Sequence, residues 1–351
     1  MGWHAVEAVD DAVEATRRFL FPFSLVRWAK LALLVLLMGG GANAGVSVPA
    51  APDTAGFDTM ELDTVVSDLL AGTADDQLIV AVAVVAVVAI VGVVALSVAS
   101  LSLRLVFYDA LQTNEVRLWR PFLGRLRQAV GLFVVSALLW LIAVLPVAVA
   151  VLVGVAGEMS IGWAPVDSFA AAAGSLSIGP AVVLGLLGSV VVLIATLALR
   201  LTYEFAVPAM VVEGIGVIDG WRRVWRAISG EWAELLVYLA VHFFVRLGTA
   251  IVEGIAFVIA GSAVLVVAGS TLLLAAVPLG GLGALVSTTA GIATVVIVGI
   301  VAVASLVALT LPVSVVTQSY VIAYEVDTLG GIDPELMVLH RDIDPDSTVR
   351  D

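Results

Sequence analysis

Four polar residues follow one face of an otherwise apolar stretch. His242, Arg246, Thr249 and Glu253 are spaced at i, i+4, i+7 and i+11. In an α-helix, that spacing brings all four side chains to the same face. A charge near the centre of a bilayer costs about 2.5–3.5 kcal/mol on insertion scales. Arg246 and Glu253 therefore need partners or water.

This polar stripe has two interpretations. It is a polar path or a site for an anion, a proton or a lipid headgroup, or it is a packing device of paired or snorkelling side chains. A helix that begins near Leu235 places Arg246 about 16 Å along its axis, near the middle of a roughly 30 Å hydrocarbon core. No other apolar stretch shows a matching stripe. We therefore expect each to find a partner on another span, a backbone carbonyl left free by a break, or a water. A glycine-broken first span and a hairpin at Pro278 are the expected sources of such carbonyls.

A second candidate site lies in the link between residues 208 and 232. Asp219 can cap a short helix there. Tryptophans and arginines spaced at i and i+4 then fall on separate faces of that helix, which is typical of a membrane interface. Indole rings lie among headgroups, and arginines reach phosphates. We predict contact with anionic lipid headgroups through Trp221, Arg222, Arg223, Trp225 and Arg226.

The composition sets the class of protein around these sites. The chain has 351 residues, of which 62% are hydrophobic and 13% are charged, and its mean hydropathy is +1.15. A soluble fold has to cover its surface with polar groups, so a water-soluble globule is excluded. A spanning helix needs about 20 apolar residues. We predict an all-α polytopic membrane protein, a bundle of six transmembrane helices, at about 31–50, 78–103, 130–153, 180–199, 235–264 and 286–311.

The distribution of basic residues predicts the orientation of these spans. Links that carry several arginines alternate with links that carry no base, and the link over residues 51–77 has acids only. Cytoplasmic loops are enriched in Lys and Arg. We therefore expect a protein of the cell membrane with both termini in the cytoplasm.

Three segments outside the clear spans carry separate expectations. Residues 1–30 predict an amphipathic helix with Trp3, Val6, Val9, Val13 and Leu20 on one stripe, either lying on the membrane or packed on the protein's own loops. The stretch from Thr271 to Leu282 is too short to span, and Pro278 predicts a hairpin or half-helix. Residues 326–351 form an acidic tail, with a short helix capped near Asp333 and a solvated end.

A short motif recurs where alternate spans end. Arg104 precedes the pair Tyr108-Asp109, Arg200 precedes the pair Tyr203-Glu204, and the pair Tyr324-Glu325 follows the last span without an arginine. An interfacial Tyr with a polar handle suits the edge of a membrane. The repeat predicts three helical hairpins.

Several classes of function are excluded or not expected. The chain has no cysteine, which excludes disulfides, thiolate catalysis and Cys-ligated metals. The common nucleotide, serine hydrolase and zinc protease motifs are missing. The three histidines lie in different regions, so we expect no enzyme activity, metal or cofactor. Nucleic acid is not an expected partner either, because the net charge is −13.

The charged residues also point to an environment. Acidic residues outnumber basic ones by 29 to 16, and Lys30 is the single lysine. This balance is typical of proteins from salt-loving archaea, in which carboxylates hold water and salt screens their repulsion. The composition therefore indicates a halophilic origin.

Two stretches of the sequence resemble those of a known group of proteins. They are the early run FPFSLVRWAKLAL, which precedes a cluster of glycines, and PAMVVEGIGVIDGWRRVW after a span. With these runs the chain resembles an uncharacterised family of haloarchaeal integral membrane proteins, distantly similar to the membrane domain attached to some glycerophosphodiester phosphodiesterases. The resemblance implies a six-span module. No segment is long and soluble enough for the phosphodiesterase barrel, so hydrolase activity is not implied.

These observations predict a non-enzymatic multi-pass membrane module that organises, senses or assists in the membrane and contacts anionic lipid. The alternative is a small-solute or ion transporter that uses the polar stripe. A water-filled cavity reaching Arg246 and Glu253 would favour transport, and a closed bundle would favour the module. The sequence names no protein partner.

Overall fold

A computed structural model describes residues 3–38, 76–156, 164, 168, 171 and 178–345. The described chain is all helical. The helices are α1 His4–Leu20, α2 Leu25–Leu37, α3 Asp76–Thr113, α4 Trp119–Ala156, α5 Ile178–Leu201, α6 Val207–Glu213, α7 Val217–Ile228, α8 Trp232–Leu279, α9 Ala284–Ser287 and α10 Thr289–Ile332. A π-helical segment, Thr202–Ala206, joins α5 to α6, and a 3₁₀ turn, Pro334–Leu336, follows α10.

Five of the described helical stretches are long and apolar enough to cross a membrane. Their apolar stretches run over Ile79–Thr113, Trp119–Val151, Val182–Glu213, Trp232–Leu279 and Thr289–Ile332. This confirms the prediction of a helical protein with several membrane-spanning helices. Residues 39–50 of the predicted first span lie outside the described residues, and its earlier part belongs to α2.

The buried core lies at one end of the bundle. The end of α3, the π segment, the beginning of α8 and the end of α10 meet there, and Tyr108, Phe205, Tyr238 and Tyr324 are fully buried among them. Most apolar side chains on the remaining length of these helices are exposed. Exposed Val, Leu and Ile over a helix length of about 30 Å suit the hydrocarbon of a bilayer.

Helix α1 packs against this core with a face that the sequence reading did not select. Ala5, Ala8, Ala12 and Ala15 are buried and lie against α10 and α8. Alanines let two helix backbones approach closely. The predicted stripe is split, because Leu20 is buried while Trp3, Val6 and Val13 stay exposed. The helix therefore packs on the protein and still presents an apolar face outward.

Helix α8 is longer than the sequence reading predicted. It runs without a break from Trp232 to Leu279, so the prediction of a separate hairpin or half-helix over 271–282 is wrong. Pro278 lies in the last turn. Its missing N–H leaves one carbonyl of the preceding turn without its helical hydrogen bond, and the rest of the helix is unaffected. The helix ends one residue later, at Leu279, and is followed by Gly280, whose φ of 97° suits glycine.

The chain after α10 is also more structured than predicted. Asp333 caps the 3₁₀ turn by accepting a bond from Glu335 N. Leu336, Val338 and Ile343 are buried, and His340 N donates to Leu111 O at 3.1 Å. The prediction of a solvated end fails for residues 337–344, because their apolar side chains complete the core. Residues 346–351 lie outside the described part.

Candidate functional site

The polar stripe of α8 meets a buried carboxylate of α10. Arg246 Nη2 donates to Glu325 Oε1 at 2.9 Å, and Arg246 Nε donates to His242 Nε2 at 3.0 Å. Glu325 and His242 are almost completely buried, whereas Arg246 is about one-third exposed. A buried carboxylate needs a paired cation. Arg246 supplies it and reaches both partners from one guanidinium.

A chain of hydrogen bonds continues from His242 to a second buried carboxylate. Since His242 Nε2 accepts from Arg246, the proton of a neutral imidazole is on Nδ1, which lies 3.0 Å from Tyr238 Oη. The Tyr238 hydroxyl donates in turn to Glu204 Oε2 at 2.8 Å. Arg200 Nε donates to Glu204 Oε1, also at 2.8 Å. Each carboxylate in this network thus has its own arginine.

The other two residues of the stripe have different partners. Thr249 donates to the carbonyl of Arg246 at 3.0 Å on its own helix. Glu253 accepts from the hydroxyl of Thr317 on α10. The glycine-broken stretch of the first span lies outside the described residues, and no described carbonyl near Pro278 accepts a hydrogen bond from Arg246. Both of these side chains pair with α10.

Sequence reading missed the partner because it assigned Glu325 to the edge of the last span. The signal that could have found it is the Tyr-acid repeat, because its three copies lie in this region. Glu204 and Glu325 join the network, while Asp109 forms a separate ion pair with Arg125 at 2.7 Å. Two copies of the repeat therefore supply the buried carboxylates.

The π segment sets the position of Glu204. Thr202 Oγ1 donates to Ala198 O at 2.6 Å and accepts from Trp221 Nε1 at 2.9 Å. π-Bulges are frequent at functional sites because they redirect side chains within a helix. Tyr203 and Glu204 both lie in this segment. The Tyr203 hydroxyl donates to Ser136 Oγ at 2.8 Å, and this bond holds the Tyr203 ring against α4.

Glu204, His242 and Glu325 also satisfy the geometry of a metal site. Among the described residues they form a buried group whose ligand atoms lie within 4.8 Å of one another. However, Glu204 Oε1 accepts from Arg200, and His242 Nε2 and Glu325 Oε1 accept from Arg246. Arginine groups already serve as the cations for these atoms, so the donor set does not favour a metal.

A cavity of about 280 Å³ opens beside this network. It lies between the ends of α3 and α5 and the first half of α8, and the exposed Phe243 is one of its lining residues. Its polar walls come from Arg104, Arg200, Tyr203, Glu204, His242 and Arg246. Arg104 lies over the Tyr203 ring, with its guanidinium carbon 4.8 Å from the centroid. The cavity thus collects three arginines from three helices.

The three arginines lie at one end of the apolar parts of their helices. Residues 77–103 of α3 and 178–199 of α5 carry no charge and end directly before Arg104 and Arg200. In α8 the charge-free stretch is Gly254–Leu279, which follows the stripe and is about 39 Å long at 1.5 Å per residue. Because α8 continues unbroken to Leu279, its charge-free stretch extends far beyond Glu253. The polar stripe therefore lies at one end of this stretch and not at its centre.

The second predicted site is a surface helix. Val217, Gly220, Val224 and Ile228 bury one face of α7 in the core. Arg222, Trp225 and Arg226 are exposed on the other face. Trp221 is half-buried and points inward to Thr202, as described above. Trp225 packs edge-on against Trp232, with ring centroids 5.4 Å apart.

Arg223 is oriented differently from its two neighbours. Its guanidinium pairs with Glu213, Asp333 and Glu335, and only 13% of its side chain is exposed. It thereby ties α7 to the chain after α10. Burial alone raises the pKa of Asp333, but the hydrogen bonds from Arg223 and Glu335 N and the Arg223 charge lower that pKa below its usual value.

Comparison with known proteins gives one match. Residues 3–339 match the model of a family described as "Family of unknown function (DUF7544)". No curated protein and no solved structure matches the chain.

Proposed function

Because the chain belongs to this family of unknown function, we propose a function from its own geometry: a non-enzymatic membrane module that contacts anionic lipid through α7. The observation that carries the proposal is the two-sided character of α7. One face is buried in the core, and the other exposes Arg222, Trp225 and Arg226 together. Indole and guanidinium groups on one exposed face suit the headgroup layer of a membrane.

The proposal excludes Arg223 from lipid contact. Three carboxylates already neutralise its charge, so a lipid phosphate would have to displace an existing ion pair. Arg222 and Arg226 are exposed, although Arg222 is also 3.0 Å from the exposed carboxylate of Asp219. Such exposed pairs are weak and exchange readily with other anions.

The test compares lipid binding by two double variants in nanodiscs of mixed anionic and zwitterionic phospholipid. Arg222→Gln/Arg226→Gln should retain less anionic lipid in native mass spectrometry. Each arginine near an anionic surface contributes about 1 kcal/mol, a roughly fivefold change in association, and less at high salt. Arg17→Gln/Arg341→Gln removes the same charge from exposed positions elsewhere and should have a smaller effect. Equal lipid retention by the two variants would contradict the proposal.

A transporter is the second candidate, because the cavity reaches Arg246. Glu253 lies outside the cavity lining and is bonded to Thr317. Liposome assays separate the two functions. Uptake of phosphate or another small anion that is lost in Arg246→Leu, and also in the more stable Arg246→Leu/Glu325→Gln, would favour transport. Lipid retention without uptake would favour the module.

We also propose six spans, with both termini in the cytoplasm, and a halophilic origin. The course of α2 supports the sixth span. Arg27 Nη2 donates to Asn114 at 2.7 Å at the core end, and Leu37 lines the same groove as Leu96 of α3. Helix α2 thus runs from the core end along α3 in the opposite direction. The acidic composition supports the origin and predicts a melting temperature that rises between low and molar salt.

A further inference from the structure

The charges around the cavity do not balance. Arg104, Arg200 and Arg246 face the carboxylates of Glu204 and Glu325, and the neutral His242 adds no charge. Arg200 and Arg246 each form an ion pair with a carboxylate, whereas Arg104 forms none with the described side chains and interacts with Glu325 only at longer range. One positive charge therefore lies in excess around this cavity, and a partly buried charge without a counter-ion is costly.

Arg104 also has an unused hydrogen-bond donor. Its Nε atom is buried and donates to no atom of the described residues, while its guanidinium lies over Tyr203 and close to Tyr108. A buried donor without a partner costs free energy, and donors of this kind point to a group that completes them. An anion in the cavity would balance the excess charge, with the other guanidinium nitrogens of Arg104 as its donors.

An apolar groove adjoins the cavity. It has a volume of about 640 Å³ and shares Tyr203 with the cavity. Phe133 and Trp140 of α4 line one part of it. Leu96, Leu101 and Leu199 also line it, and they lie on the apolar side of Arg104 and Arg200 along α3 and α5. A headgroup at the arginines would thus place an attached hydrocarbon chain in this groove.

From this geometry we propose that the cavity binds the phosphate group of a phospholipid, with Arg104, Arg200 and Arg246 around the phosphate and an acyl chain in the neighbouring groove. Arginine suits this role because its planar donors match phosphate oxygens. The site is separate from the surface of α7, and its existence does not rest on contacts there. Free inorganic phosphate has the same charged oxygens as the headgroup. The experiment therefore has to distinguish phospholipid from inorganic phosphate as the ligand.

The experiment uses the full chain in nanodiscs and two probes, phosphatidic acid and inorganic phosphate. Arg104→Gln should lower phosphatidic acid retention by roughly tenfold, because it removes a charge and its donors. Arg104→Lys keeps the charge and should retain most of the binding. Neither change breaks an ion pair among the described residues, since Glu325 keeps Arg246 and Glu204 keeps Arg200. Arg222→Gln/Arg226→Gln should leave this retention unchanged, which separates the site from the α7 surface.

A second pair of variants tests the groove without touching the arginines. Ala137 lines the groove, so Ala137→Phe should displace the acyl chain and lower phosphatidic acid retention. Ala150→Phe, at an exposed position of the same helix outside the groove lining, is the matched control. Wild-type retention in both Arg104→Gln and Ala137→Phe would overturn the proposal. If inorganic phosphate binds as tightly as phosphatidic acid and Ala137→Phe has no effect, a phospholipid is not the ligand of this cavity.

Discussion

At the scale of single residues, the site depends on how buried carboxylates are paired. Glu325 is fully buried, and Arg246 is the arginine that forms an ion pair with it. A buried ion pair adds little stability over an apolar pair, but loss of one partner leaves an uncompensated charge. Arg246 is therefore a structural residue for this end of the bundle, whatever ligand the cavity holds.

The substitution Arg246→Leu tests this role. It should lower the free energy of unfolding by about 3 kcal/mol, since Glu325 then stays buried without its cation. The double variant Arg246→Leu/Glu325→Gln removes the orphaned charge and should recover part of the loss. Arg222→Leu, at an exposed arginine, is the control and should change stability by less than about 1 kcal/mol. Thermal unfolding in detergent measures all three, and a wild-type melting temperature for Arg246→Leu would refute the role.

At the scale of elements, the helices at the core end are tied together by polar contacts from distant parts of the chain. Ala5 N at the beginning of α1 donates to Glu234 Oε1 of α8 at 2.8 Å. Arg223 of α7 pairs with Asp333 and Glu335 after α10. These contacts link the surface helix α7 to the C-terminal chain and hold residues 333–344 on the core.

The contact between Arg223 and Asp333 predicts a pH dependence. Asp333 has a lowered pKa in the folded protein. Its contribution to stability is therefore present above its unfolded pKa of about 3.9 and is lost as the pH falls through the lower folded value. Hydrogen exchange in residues 333–344 should accelerate below about pH 4, relative to other segments of the same protein.

Arg223→Gln should remove most of this acid dependence, because it removes the cation that lowers the pKa. Arg222→Gln is the matched control, since its partner Asp219 is mostly exposed and lies outside the C-terminal contact. An identical acid response in the wild type and in Arg223→Gln would show that other groups hold this segment.

At the scale of the whole molecule, the first and last described segments lie together. Arg18 Nη1 donates to Asp344 O at 3.1 Å, and α1 packs along α10. The links that carry most arginines also join helices at this end, between α3 and α4 and between α5 and α8. From the positive-inside rule we expect this end to face the cytoplasm.

Cysteine labelling checks this topology, since the chain has no cysteine of its own. Single cysteines at Arg120 and Arg222 should react with an impermeant thiol reagent from the cytoplasmic side. Cysteines at Asp63, Asp167 and Leu282 should react from the outside. Outside labelling at position 120 would contradict both the orientation and the number of spans.

Local patterns predicted much of this architecture. Long runs of Val, Ala and Leu identify membrane helices, because no other environment accepts so much exposed apolar surface. The i, i+4 spacing of His242 and Arg246 placed them on one face, and in the structure they are hydrogen-bonded. The limits of α8 were predicted less well, because Pro278 was read as a break although it lies in the final turn.

Other features depended on the tertiary structure. The pairing of Arg246 with Glu325, and of Glu253 with Thr317, joins residues on two helices whose register no local spacing encodes. The meeting of Arg104, Arg200 and Arg246 at one cavity likewise requires three helices to end at the same level. The sequence alone determined which side chains share a helix face, because the helical period relates residues only a few turns apart. Only packing decided which faces meet, because it depends on contacts between residues far apart in the chain.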